Sequence, residues 1–145
     1  MTSTLAGNEA YEFVDAVSEE QVADLMQLYR STWWAKDRER ADVEHMLPHV
    51  DVIVGICERE SRRLVAFARV LTDCAYKAVI FDVIVDPAVR GTGLGRMLVE
   101  RIVAHPALCD VRHVELYCRP EMVPFYRKFG FSDDLPEVRY MRRVR

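Results

Sequence analysis

Between Ala78 and Val85 the chain has its longest apolar run, broken only by Asp82, and it leads into a turn with glycines at alternate positions, 91, 93 and 95. No other segment constrains the fold as much. A strand this apolar needs cover on both faces, which predicts a place at the centre of a sheet. The turn opens a helical stripe of Leu94, Leu98 and Ile102, running from about Gly93 to Ala104, and His105-Pro106 closes it. A buried strand followed by a helix that packs back onto it is the unit of an α/β layer. Three alternating glycines also carry a penalty in backbone entropy. They could serve a tight turn by packing alone, but a main chain that must approach a ligand closely justifies them better. The first helical turn has free N–H groups and the positive end of the helix dipole, so the expected ligand is an anion, phosphate above all.

Two common phosphate loops do not fit. A nucleoside-triphosphate loop needs Gly-Lys-Ser/Thr at the helix start, where this chain has Gly95-Arg96-Met97. A dinucleotide fingerprint needs G-x-G-x-x-G, but Gly95 comes one position early and Arg96 stands where the last glycine belongs.

The other elements follow from period and punctuation. Tyr11 to Val17 reads as a first strand. Ser18-Glu-Glu-Gln21 spells a capping box, and Val22, Leu25, Met26 and Tyr29 mark one face of a helix reaching about Trp33. Asp37 is expected to cap a second short helix with the stripe Val43, Met46 and Leu47, ended by Pro48. Asp51 to Glu58 and Leu64 to Leu71 are strands joined by a turn too short for a crossover, hence an antiparallel hairpin. Tyr76 to Val85 and Val111 to Tyr117 are further strands. Val123 to Phe129 is a short helix stopped by Gly130, and Glu137 to Arg143 is a last strand. The order is β-α-α-β-β-β-α-β-α-β: a single α/β domain, a mixed and mostly antiparallel sheet with helices on both faces.

At 145 residues the chain suits one domain, and half of it is apolar, which excludes disorder and small disulfide scaffolds. A net charge of −3 disfavours a general nucleic-acid binder. The apolar run is far short of the ~20 residues that cross a bilayer, so no membrane partner is expected. The four cysteines form no CxxC pair, and the N-terminal residues do not read as a signal peptide, so a cytoplasmic setting with free thiols is expected. His105, Cys109 and His113 stand four apart, but Pro106 argues against the continuous helix that would unite them, and no metal is expected.

Arg90-Gly-Thr-Gly-Leu-Gly95 resembles the acyl-CoA pyrophosphate loop of the GNAT superfamily of N-acetyltransferases, whose pattern is Arg/Gln-x-x-Gly-x-Gly/Ala. Val85-Asp86-Pro87 matches the end of that family's fourth strand, and Phe125-Tyr126-Arg-Lys-Phe-Gly130-Phe131 is similar to its second signature, a helix ending in Gly-Phe. The two signatures stand about one helix and one strand apart, as in that family. The resemblance implies an acetyl-CoA-dependent acyltransferase that passes the acetyl group to a primary amine by direct attack in a ternary complex. It implies that the amides of Gly91, Thr92, Gly93, Leu94 and Gly95 cradle the pyrophosphate, with charge from Arg90 and Arg96. Val83, Ile84 and Val85 would pair with the pantetheine arm, and the Val85 amide would polarise the thioester carbonyl. Tyr126 stands at the position of the general acid. Its phenol, near ~10 in water, is reasonably matched to a departing thiolate. The other reading of Tyr126 is a partly buried aromatic closing a short helix, but Phe125 and Phe129 are expected to fill the core stripe and leave Tyr126 on another face.

Other roles stay open on the residues alone. Asp82 interrupts a buried strand, so it is either a general base or a carboxylate paired with a loop backbone or an arginine. Trp33 and Trp34 are neighbours and cannot both face the core from one helix. One of them covers the acceptor site, or Trp33 packs inside and Trp34 lies over the second helix. The acceptor is a small-molecule or peptide amine. A homodimer is compatible with the resemblance. The alternative function is a non-catalytic acyl-CoA-binding or sensing module, which would keep the loop and could lose the acid.

Overall fold

The computed structural model describes residues 3–5 and 8–145. One sheet contains β1 (Ser3–Leu5), β2 (Asn8–Val14), β3 (Val52–Glu58), β4 (Leu64–Thr72), β5 (Lys77–Val85) and β6 (His113–Glu115), side by side in chain order. Neighbours are antiparallel from β1 to β5, and β6 runs parallel to β5. The helices are α1 (Glu19–Arg30), α2 (Arg40–Met46), α3 (Leu94–Val103) and α4 (Val123–Arg127).

Helices cover both faces of this mostly antiparallel sheet, as expected. On one face Leu94, Leu98 and Ile102 of α3 pack on Val52, Val54, Ile56, Val70, Ala78 and Ile80. On the other, Leu25, Met26, Leu28 and Tyr29 of α1 and Val43 of α2 pack on Cys57, Leu64, Phe67 and Ile84. Within β5, Ala78 and Ile80 belong to the first core and Ile84 to the second, with Val83 and Val85 against the first. A regular strand keeps one parity per face, so an extra residue must lie between Ile80 and Val83. The ladder places it: Arg69 opposes Phe81 while Phe67 opposes Ile84, a two-residue step against a three-residue one. Asp82 sits in this bulge in the left-handed region, at φ 57°.

Several boundaries differ from the reading of the sequence. The capping box forms, with the Ser18 hydroxyl accepting from the Gln21 amide at 3.2 Å and the Gln21 side chain accepting from the Ser18 amide at 3.1 Å. The helix stops at Arg30 rather than Trp33, because the Ser31 and Thr32 hydroxyls donate to the carbonyls of Leu28 and Tyr29 at 2.6 and 2.7 Å. α2 is preceded by Glu39, which makes no capping bond, and Asp37 lies in the turn before it. The first predicted strand ends at Val14, and an additional strand pairs with it from the N-terminal side. β5 is second from the edge, and the most continuously buried strand is β4. β6 keeps only three of the seven residues expected, and Glu137 to Arg143 forms no strand. None of the described helices is long and apolar enough to cross a membrane.

Candidate active site

The short β6 creates the site. Its ladder to β5 covers only Lys77 to Val79, so from Ile80 to Val85 the outer edge of β5 has no strand beside it. The backbone there is aimed usefully. The Asp86 amide donates to the Val65 carbonyl at 2.8 Å, which makes Val85 and Ala66 a non-hydrogen-bonded pair of the β4–β5 ladder. The N–H and C=O of Val85 therefore point away from β4, into the open slot. Among the described residues, the Arg90 guanidinium meets that carbonyl, at 3.3 Å.

The chain leaves β5 through a pinned corner. The Asp86 carboxylate accepts from the Ala88 amide at 2.9 Å and from Arg63 at 2.7 Å. That amide first, then Arg63 against the drag of burial, holds the carboxyl below the ordinary aspartate range. Pro87–Val89 makes one tight turn, and the Thr92 hydroxyl donates to the Val89 carbonyl at 2.6 Å. Gly91 and Gly93 follow with φ of 82° and 88°. A Cβ at Gly91 would meet nothing within 4 Å, and one at Gly93 only the tip of Arg96 at 3.9 Å. Packing is therefore not what requires these glycines. Their left-handed backbone is. Gly93 caps α3 without a side-chain bond, and the first α-helical bond is Met97 to Gly93, so the amides of the first turn face outward unspent.

Gly95 closes the corner. Its Cβ position lies 3.7 Å from both Val85 and Phe125, which brings the loop, the end of β5 and α4 together. The residues expected to hold the cosubstrate, Val83 to Val85 and Arg90 to Arg96, thus form one continuous surface. Arg96 also pairs with Glu100 at 3.0 Å, and both stay exposed.

Tyr126 lies on α4 beside this corner, but not as expected. It is the buried residue of the helix, and Phe125 and Phe129 are only half-buried. Its ring packs edge-on against Phe125 and Phe131, and burial, with the nearby Cys118, pushes the phenol up to about 12. The match to a departing thiolate is therefore poorer than the sequence implies.

Asp82 proves to be the paired carboxylate. Its Oδ2 accepts from the Tyr29 hydroxyl at 2.8 Å, the Arg38 guanidinium at 2.7 Å and the Arg69 guanidinium at 2.6 Å. Its side chain is 3% exposed. Burial raises the Tyr29 phenol strongly, and the Asp82 charge adds to it. Arg38 and Arg69 were not singled out in the sequence. The signal that could have found them is the buried Asp82 itself, since such a carboxylate requires cationic partners.

Neither tryptophan enters the core. Trp33 and Trp34 are 63% and 41% exposed, because α1 ends before them. The Arg119 guanidinium lies 4.3 Å above the Trp33 ring, and Arg38, which also bonds Asp82 in the β5 bulge, lies 5.5 Å from Trp34. Among the described residues no cluster of His, Cys, Asp or Glu could hold a metal ion.

A strand end with its amides open, a left-handed glycine loop and a helix start in one corner is a constellation that comparison with known proteins resolves. The family model described as "Acetyltransferase (GNAT) domain" matches residues 50–133. The chain belongs to the GNAT acetyltransferase family. It is 34% identical over 108 residues to GCN5-related N-acetyltransferase 1, chloroplastic, of Arabidopsis thaliana, covering 74% of this chain and 55% of that one. It is 37% identical over 106 residues to serotonin N-acetyltransferase 2, chloroplastic, of Oryza sativa subsp. japonica, covering 72% and 53%. The chain thus spans about half the length of these two relatives. A crystal structure of a GNAT-family protein from Xanthomonas campestris pv. campestris superposes with a TM-score of 0.76 at 30% identity, over 91% of this chain and 93% of that one. The relatives are N-acetyltransferases, and the GNAT domain is an acyltransferase. The mixed sheet with helices on both faces is the GNAT fold.

Proposed function

We propose that this GNAT domain binds acetyl-CoA in the slot beside β5 and transfers its acetyl group to a primary amine in a ternary complex. The observation that carries the reading is the uncrowded left-handed turn at Gly91 and Gly93, which opens α3 next to the unpaired edge of β5. Amides from Gly91 to Arg96, reinforced by the helix dipole, hold the pyrophosphate. Arg90 and Arg96 add charge. The backbone of Val83 and Val85 pairs with the pantetheine arm as a sixth-strand substitute would. The Val85 amide, turned into the slot, donates to the thioester oxygen and to the oxyanion it becomes.

A neutral amine attacks the thioester carbon, the C–N bond forms, and the C–S electron pair leaves on sulfur. Tyr126 stabilises that sulfur. A phenol at about 12 gives its proton only uphill to a thiolate whose conjugate acid lies near ~8.5, so its main contribution is a hydrogen bond to the developing thiolate. The proton that finally neutralises the sulfur is the one the amine gives up. Asp82 is a positioning residue in this account: with three donors on one oxygen, it fixes the bulge that aims β5 rather than taking the amine's proton.

The test is thiol release from acetyl-CoA over a library of amines, serotonin among them because the rice relative is named for it. Amine-dependent release that falls in Tyr126→Phe supports transfer. Acetyl-CoA binding with no release for any amine favours the sensing module, and no binding by a folded protein contradicts both.

A further inference from the structure

Resting on that reading of the slot, we propose that the acceptor is an amine that also carries an oxyanion, a carboxylate or a phosphate, and that cationic acceptors such as polyamines are excluded. The charge gathered around the β5 bulge carries this reading. Phe81 of β5 meets Tyr117 edge-on at 5.9 Å, and Tyr117 packs against Tyr140 of the C-terminal segment at 4.6 Å. Two guanidinium groups lie on this aromatic surface, Arg69 at 4.8 Å over Phe81 and Arg142 at 5.5 Å over Tyr140; two more adjoin it, Arg38, which shares Asp82 with Arg69 and lies beside Trp34, and Arg119, two residues after Tyr117 and over Trp33.

Only two carboxylates are recorded against these arginines among the described residues. Asp82 is buried and already shared by Arg38 and Arg69. Glu121 stands 3.6 Å from Arg119, with both side chains largely exposed. Arg142 is met by the Tyr140 hydroxyl at 3.2 Å and by two rings. Asp133, whose charge also reaches Cys118 beside Arg119, is held by Arg127 at 2.7 Å, so four guanidinium groups stand here against Asp82 and Glu121 in a chain whose net charge is −3.

Two consequences follow for the acceptor. The aromatic faces that would attract an ammonium group each already carry an arginine of this chain, so a polycation finds repulsion where it would need cation–π support. An oxyanion finds planar donors suited to it. The same field disfavours the protonated form of the acceptor amine, which is the form that cannot attack.

The experiment compares matched acceptors: phenylalanine against phenethylamine, phosphoethanolamine against ethanolamine, and spermidine as the cationic arm. Initial rates are read as thiol release, and Trp33 and Trp34 emission is titrated with the same compounds in the presence of CoA. The expected result is a kcat/KM at least tenfold higher for the anionic member of a pair, falling with salt. Arg142→Gln and Arg119→Gln should reduce that ratio and leave the Kd for acetyl-CoA unchanged. Which pair shows the preference tells carboxylate from phosphate. Equal or inverted ratios in both pairs, or a preference for spermidine, in a protein that binds acetyl-CoA, overturn the proposal; so does the absence of any difference in both readouts. Failure to bind acetyl-CoA contradicts the reading of the slot itself, and this proposal with it.

Discussion

Tyr126 and Asp82 show how much a side chain's role depends on what surrounds it. Tyr126→Phe should lower kcat by about 10²-fold, the lower end of what one hydrogen-bond donor to a developing anion contributes, with the Kd for acetyl-CoA unchanged by calorimetry. The raised phenol also sets a pH dependence. Folding lifts Tyr126 from 10 to about 12, so the stability it contributes is complete below pH 10 and is lost as pH climbs through 12. Urea midpoints measured from pH 9 to 12 should fall less steeply in the phenylalanine variant, with the share of Tyr29 remaining. Asp82→Ala should destabilise the fold by about 3–5 kcal/mol in denaturant titration, because it strands two arginines that one oxygen had paired. Asp82→Asn should cost less, since asparagine tolerates the left-handed bulge. The sequence shows that something must hold a carboxylate inside an apolar strand. It does not show that Arg38 and Arg69, 44 and 13 positions away, are what holds it.

At the scale of elements, the glycine turn makes a prediction that separates conformation from packing. Gly93→Ala forces a Cβ into left-handed backbone and should cost about 1–2 kcal/mol. Gly95→Ala meets only ordinary contacts at 3.7 Å and should stay within about 0.5 kcal/mol. Parallel thermal melts check both. The capping box, the β3–β4 hairpin and the α3 seam were legible because their signals are local: a spaced hydrogen-bond pair, a five-residue connection, an i, i+4, i+8 stripe. The end of α1 was not, since two hydroxyls overrule an apolar pattern that runs on to Trp33. Nor was the fate of Glu137 to Arg143, where a strand-like alternation is spent on side-chain contacts, Tyr140 against Tyr117 with Arg142 beside both rings. The bulge was also hidden, because an inserted residue changes the faces of a strand without changing its composition.

Across the whole molecule the account rests on one juxtaposition. β6 stops after Glu115, β5 continues to Val85 with its outer amides open, and the glycine loop turns the start of α3 toward that edge. The α/β class and the helices on both faces followed from the order of elements. The open slot did not, because strand length is set by tertiary pairing rather than by the local run of apolar residues. Calorimetric titration with acetyl-CoA tests the claim most directly, with wild type beside an Arg90→Ala, Gly93→Asp variant. Wild type should bind one acetyl-CoA per chain, and the variant, folded by circular dichroism, should lose at least tenfold in affinity as a carboxylate takes the place meant for pyrophosphate. Undiminished binding by the folded variant, or none by wild type, would contradict the account.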